Sequence, residues 1–431
     1  MLAKNIGINE KGHLTFAGVD TTDLAAQYGT PLYLIDKNTI IQRAKEYMSA
    51  TVAFLGKGSH PCYAGKALCY TDLYRTLEEL GMWIDVVSPG EFYTAKKAGF
   101  DLSRAMFHGN NKTDDDLKMA LDMGVGRIVC DSSDEIDALD RIAGELSKKP
   151  KILIRLTPGI DPHTHKSINT GTVDSKFGVA IETGDAKSLV EKTLAKKNVE
   201  LMGYHCHIGS QIFECEPFCE AAEKMLTFTA EIKNTLEFEA VEINLGGGMA
   251  VPYLESDEKI SYTENIKAVG ECINTLLEKL SLNRPAFYLE PGRSMVADSG
   301  MTLYTVGTVK CIEGYKNYVS IDGGMADNPR YALYQSPYTL INASHADIAP
   351  DFTATVGGRC CESGDLIQEN VNLARPERGD TLAVLTTGAY NFSMSSKYNR
   401  LTRPALVTLH DGASYVAVKR QTFEDMTAID V

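Results

Sequence analysis

The sequence contains no apolar run long enough to span a bilayer, and its first residues, Met1-Leu2-Ala3-Lys4-Asn5-Ile6-Gly7, lack the apolar core of a signal peptide. The expected location is the cytoplasm. An excess of basic residues is missing too: 57 Asp and Glu stand against 43 Lys and Arg, a formal charge of -14. Nucleic acid or an anionic membrane would need a basic face, so neither is expected as a partner, and a small polar substrate fits better. Internal repeats and low-complexity tracts are absent. The ten cysteines show no repeated metal-type spacing, which argues for reduced thiols over a disulfide framework. Cys360 and Cys361 are adjacent and hard to bridge to each other, which leaves one of them open to reactivity.

What the chain does have is length, alternation and punctuation. At 431 residues it exceeds the usual single-core size, so two domains are expected. Strand-like runs are expected at 60–63, 83–87, 104–107, 127–130, 152–156, 201–206, 241–245 and 286–289, most of them separated by helical patterns. Thr71 and Gly81 bracket one helix. Thr113 can cap another whose first turn holds Asp114, Asp115 and Asp116 and which Gly124 can end. Eight strand-helix alternations predict an α/β architecture, a closed (β/α)8 TIM barrel over residues 36–292, with an open doubly wound sheet as the competing reading. Expected strands at 302–309, 318–322, 353–356, 381–385 and 405–409 predict a second, mainly antiparallel β-barrel or sandwich domain, built from 293–431 and completed by residues 1–35.

A barrel keeps its active site at the C-terminal ends of its strands, and the chemically capable residues cluster there. Lys66 follows strand one, Asp85 ends strand two, His108 follows strand three, and His205 and His207 lie at the end of strand six. A lysine at such a place can form a Schiff base with a carbonyl cofactor, although a strand-end lysine is more often a solvated charge. Gly246-Gly247-Gly248 after strand seven suits either a close approach of backbone N–H groups to a phosphate or a tight turn. His205 and His207 share a strand face, as zinc ligands do, but no third ligand is near; a structural histidine, or a ring stacked on a flat cofactor with Ser210 beside its phosphate, serves as well. Glu290, opening Glu290-Pro291-Gly292-Arg293 after strand eight, can meet a ring nitrogen and keep it protonated, or form a structural ion pair. Arg293, Arg330 and Tyr334 are candidate carboxylate binders. Cys361 beside Glu362 places a proton donor next to a binder for an ammonium group, or is a plain core thiol.

Taken in order, the motifs FHGNNK from Phe107, TPGIDPHTHKSINTG from Thr157, DSKFG from Asp174, HCHIGSQ from His205, NLGGG from Asn244, EPGR from Glu290, DNPRYALY from Asp327, CESGD from Cys361 and GAYN from Gly388 span nearly the whole chain. Together they resemble the diaminopimelate decarboxylases, fold-type III pyridoxal 5'-phosphate enzymes of the alanine racemase and ornithine decarboxylase superfamily. The resemblance implies that Lys66 holds the cofactor covalently, His205 stacks on its ring and Glu290 meets its nitrogen. Asp85, Ser210, Gly246, Gly247, Gly248, Pro291, Gly292, Arg293 and Tyr390 complete the implied cofactor site. Arg293, Arg330, Tyr334, Glu362 and Tyr390 match the family's substrate contacts, and Cys361 matches its proton donor, supplied with Glu362 from a second subunit, so a homodimer is implied. One departure is visible: the family's lysine commonly sits in Tyr-Ala-x-Lys-Ala-Asn, whereas Leu68 follows Lys66-Ala67 here.

The implied reaction is decarboxylation of meso-2,6-diaminoheptanedioate to L-lysine and carbon dioxide, the last step of lysine biosynthesis. Related enzymes that act on D-ornithine, D-lysine, arginine or carboxynorspermidine are the alternatives in the same class. A noncatalytic pyridoxal phosphate carrier, resembling a lone barrel, and a metal-dependent hydrolase resting on His205 and His207 are the alternatives outside it.

Overall fold

A computed structural model describes residues 3–160 and 175–431. Most of the run from Thr157, and Asp174 at the head of DSKFG, lie outside the described residues. The chain divides into two compact units, one made of Arg43–Ala250 and Ile260–Gly292, the other of Met1–Gln42, Val251–Lys259 and Arg293–Val431.

The first unit is an α/β barrel. Its eight parallel strands are His60–Ala64, Trp83–Val86, Ala105–Phe107, Arg127–Cys130, Lys151–Thr157, Glu200–His205, Glu242–Asn244 and Ala286–Leu289. Each pairs with its neighbours in chain order, and Tyr288 of the eighth stands opposite His60 of the first, which closes the ring. The strands are apolar and almost entirely buried because side chains fill the interior on one face and meet helices on the other. Cys62, Met106, Val129, Leu153 and Tyr288 form one such interior cluster.

The helices between them start and stop where local chemistry dictates. Thr113 and Asp116 form a reciprocal capping box on Asp114–Met123, and Gly124 ends that helix in the left-handed conformation. Thr71–Leu80 ends at Gly81 in the same way. Among the described residues no helix is long and apolar enough to cross a membrane.

The second unit is built on a mainly antiparallel sheet. Its strand order is Leu366–Leu373, Phe352–Gly357, Asn317–Ile321, Gly300–Cys311, Leu32–Asp36, Ala405–His410 and Ala413–Val418, with Thr381–Leu385 and Leu340–Asn342 joined at Gly300–Cys311. The N-terminal strand thus lies in the middle of this sheet, antiparallel to Gly300–Cys311 and parallel to Ala405–His410. Leu32, Leu34, Met301, Leu303, Leu385 and Val407 share its core. Three of these strands carry too weak a pattern to be foreseen. Leu366–Leu373 includes Gln368, Glu369, Asn370 and Asn372, with Asn370 at a φ of 55°; Ala413–Val418 is largely solvent-facing; and Leu340–Asn342 has three residues.

Candidate active site

Within the barrel unit, four strand ends bring acidic and imidazole groups together out of water. Asp85, His108, His205 and Glu290 are all buried. Glu290 is the hub. His205 Nε2 donates to its Oε2 at 3.2 Å, and Asn244 Nδ2 donates to its Oε1 at 2.7 Å. His108 Nε2 lies 3.0 Å from Oε1 and 3.6 Å from Asp85. The rings of His108 and His205 meet edge to face at 4.8 Å.

Electrostatics sort these groups. Burial pushes the Glu290 carboxyl up, but His108 and His205 outweigh it and hold it well below the usual range. Burial drives His205 down to about 4, so its ring is neutral at pH 7 and serves Glu290 as a hydrogen-bond donor. Burial raises Asp85, against an opposing pull from His108. His205 Nδ1 and Asp85 Oδ1 find no hydrogen-bond partner among the described residues. Buried polar atoms left in that state are a cost, and here they line the barrel mouth where a ligand belongs.

Lys66 lies in the short turn Gly65–Ala67 directly after strand one and is half-buried. Its ammonium acts on the ionisation of Asp85, Glu91 and His207, which places its charge among them. Glu91, not anticipated from the sequence, sits under this turn, accepts the Val87 N–H at 2.7 Å and is raised by burial to about 7.

The glycine run is a joint between strands. A Cβ on Gly247 would stand 2.0 Å from the Glu290 carbonyl oxygen, and one on Gly246 would stand 2.5 Å from that of Cys206. No side chain fits at either position, so packing alone requires glycine there. Gly247 N–H donates to His207 Nδ1 at 3.2 Å, and Ile212 N–H donates to the Gly248 carbonyl at 3.0 Å. The loop carrying Ser210 and the loop carrying the glycines are thereby fixed to each other, with Pro291 and Gly292 buried at the end of strand eight. His207 therefore supports the glycine joint, whereas His108, His205 and Glu290 present three ligand atoms within 4.8 Å of one another.

The remaining candidates belong to the second unit. Arg293 Nη1 donates to Tyr253 Oη at 2.7 Å, and its guanidinium lies 4.7 Å from the centre of the Tyr390 ring. Arg330 lies over the Tyr253 ring at 3.7 Å. Burial lowers Arg330, with Tyr253 opposing and Arg293 adding to the shift, and its Nε has no hydrogen-bond partner among the described residues. Tyr253 itself is lowered: burial raises it, but the two arginines prevail. Tyr334 ends the short Arg330–Tyr334 helix. Cys361 and Glu362 are exposed, in a turn tied by Asp365, whose carboxylate accepts the N–H of Met325 at 2.6 Å and of Cys360 at 2.7 Å.

Several participants carried little sequence signal. His108 was visible as a strand-end residue without a role, Asn244 only as part of a motif, and Glu91 and Tyr253 not at all. Position was the available clue: His108 and Asn244 lie at the ends of strands three and seven, where a barrel concentrates function.

The donor set fits a planar cofactor with a basic ring nitrogen. A buried, ionised carboxylate and neighbouring orphaned polar atoms surround the place such a nitrogen would take, and Lys66 supplies an amine. The same trio would suit a metal ion by geometry alone. Comparison with known proteins separates the two. The family model described as the pyridoxal binding domain of pyridoxal-dependent decarboxylases matches residues 38–297. The diaminopimelate decarboxylase of Bacillus subtilis is 42% identical over 423 residues, covering 98% of this chain and 96% of that protein. That of Bacillus methanolicus is 42% identical over 422 residues, covering 98% of each. Among solved structures, diaminopimelate decarboxylase from M. jannaschii in co-complex with L-lysine superposes with a TM-score of 0.91 at 31% identity, over 99% of this chain and 98% of that one.

Proposed function

This chain belongs to the diaminopimelate decarboxylase family of pyridoxal-dependent enzymes, and we propose that it removes one carboxylate of meso-2,6-diaminoheptanedioate as carbon dioxide to leave L-lysine. Bound pyridoxal 5'-phosphate supplies an electron sink for the bond that breaks. Lys66 Nζ would hold that group. Glu290 would hold a proton at the ring nitrogen, which a carboxylate well below its ordinary range can do at neutral pH. His205 orients Glu290 and, with Asp85 alongside, would help hold the ring. Ser210, Gly246, Gly247, Gly248, Pro291, Gly292 and Arg293, with Tyr390, secure the phosphate and ring.

Substrate recognition falls to Arg293, Arg330, Tyr334, Glu362 and Tyr390. The observation that carries the choice of substrate is Arg330, a largely buried guanidinium with an unsatisfied Nε. A distal carboxylate satisfies it in the planar geometry a guanidinium prefers, whereas ornithine or another simple diamine precursor leaves it bare. Cys361 then delivers a proton to the carbon that lost its carboxylate. Because Cys361 and Glu362 are exposed in the single chain, we assign them to the site of a second copy, which makes the enzyme a homodimer. Ten free thiols suit a reducing compartment, and we place the enzyme in the cytoplasm.

The test is release of carbon dioxide from a substrate panel. Diaminopimelate should exceed D-ornithine, D-lysine and arginine by about a hundredfold or more in kcat/KM, the effect of leaving a buried charge without its partner. Faster turnover of any of the others rejects the assignment. The purified protein should absorb at roughly 420 nm through the cofactor's bond to lysine. Lys66→Ala should lose that band together with turnover.

A further inference from the structure

Outside the barrel strands, the helical layer holds a second concentration of reactive groups. Cys215 is the N-cap of the Glu216–Leu236 helix, and Cys219 lies one turn further on. Residues four apart share a helix face, and the two sulfurs stand 4.0 Å apart. Cys272, on the neighbouring Tyr262–Leu280 helix, donates to the Cys219 carbonyl at 3.8 Å, and Cys215 donates to the Asn265 carbonyl at 3.8 Å. All three thiols are half-buried. Cys62, Cys130 and Cys206 are fully buried by contrast.

We propose that Cys215 and Cys219 form a dithiol that a hydroperoxide converts to a disulfide, with Cys215 as the attacking sulfur and Cys219 as the resolving one. Three features set the roles. The thiolate is the nucleophile, and the N-terminal end of a 21-residue helix favours negative charge. The hydrogen bond from Cys219 holds the Cys215 thiol below its ordinary range, and the same bond raises Cys219, which keeps its proton. Glu216 opposes the ionisation of Cys215 without reversing it. Finally, the Cys215 side chain makes no capping bond to the helix, so its sulfur is not tied to the backbone N–H groups it would have to leave.

The chemistry balances as two steps. Cys215 thiolate attacks one peroxide oxygen, the O–O bond breaks, and sulfenic acid forms with release of hydroxide. The Cys219 sulfur then attacks the Cys215 sulfur, the S–O bond breaks and water leaves with the Cys219 proton. Sulfur gives up two electrons overall and the peroxide gains them. The sulfurs must close from 4.0 Å to about 2.05 Å, which rotation of the two side chains would have to supply.

The experiment is hydrogen peroxide treatment of the full-length protein, alkylation of the remaining thiols, and mass analysis of unreduced peptides. The expected product is an internal Cys215–Cys219 bond, seen as a loss of two hydrogens and of two alkylatable thiols and restored by dithiothreitol. Cys219→Ser should stop at a sulfenic acid on Cys215 that a dimedone-type probe captures. Cys272→Ser should still form the bond. A Cys219–Cys272 disulfide overturns the proposal, as does a Cys215 no more reactive than Cys62, or a stoichiometric zinc ion bound by the three thiols in the isolated protein. Because the readout is peptide mass, oxidation at the exposed Cys361 does not confuse it, and the outcome is independent of the substrate assignment.

Discussion

The two ends of the barrel bury charge in opposite ways. At the start of the strands, Arg127 and Glu242 form a two-pronged ion pair at 2.8 and 2.6 Å, and His60, Trp83 and Tyr288 pack there ring against ring. The buried arginine there has its counter-charge. At the strand ends, two carboxylates, Asp85 and Glu290, lie against His108 and the neutral His205, and orphaned atoms remain. A matched buried pair adds specificity to packing without inviting a ligand, whereas a cluster with unmet hydrogen bonds is stabilised further by a partner that satisfies them. The contrast separates a structural floor from a working mouth without appeal to motif.

It can be broken by removing one carboxylate from each end. Glu290→Gln should cut turnover by roughly 10²–10³-fold, since it removes a charge aimed at the reacting system. If turnover holds, Glu290 does not act on a ring nitrogen. Glu242→Gln should do the reverse: about 3 kcal/mol lost in denaturant unfolding because Arg127 is left buried and alone, with kcat preserved. Replacing both partners, as Arg127→Met with Glu242→Leu, should recover that loss to within about 1 kcal/mol; failure to recover would show that the pair does more than match charge.

A pH experiment sharpens the comparison. His205 is lowered from 6.5 to about 4, so the unfolded chain binds more protons between those values and stability falls as pH drops through that window. The contribution is fully present above pH 6.5. On the order of 3 kcal/mol should be lost by pH 4 in the parent and not in His205→Gln, measured by chemical denaturation across the series. Glu290, held well below its ordinary range, keeps its share through the same window. A flat difference between parent and variant would mean that His205 is charged in the folded protein.

Much of this was legible beforehand, for identifiable reasons. The barrel strands are apolar on both faces, a strong continuous signal, and the helices between them carry caps such as Thr113 and Gly124. The second unit was legible where its strands are apolar, as at Thr381–Leu385, and silent where one face is polar, as at Leu366–Leu373. At the candidate site, Lys66, His205 and Glu290 could be named because each follows a strand in a regular rhythm. Asn244 could not be assigned a role: its oxygen accepts from Gly246 while its amide donates to Glu290, 46 residues on, and no local pattern encodes such a double use.

The amino-acid order by itself determined the alternation of strands and helices, the placement of chemically capable residues just past the strands, and the family to which the chain belongs, because hydrophobic period, caps and motifs are local properties. Only the tertiary structure decided that Glu290 is ionised and His205 neutral, that the three glycines join strands by packing, and that Arg330 lies against Tyr253 with an unmet hydrogen bond. Burial and partner geometry set those outcomes, and both are properties of residues brought together from distant parts of the chain.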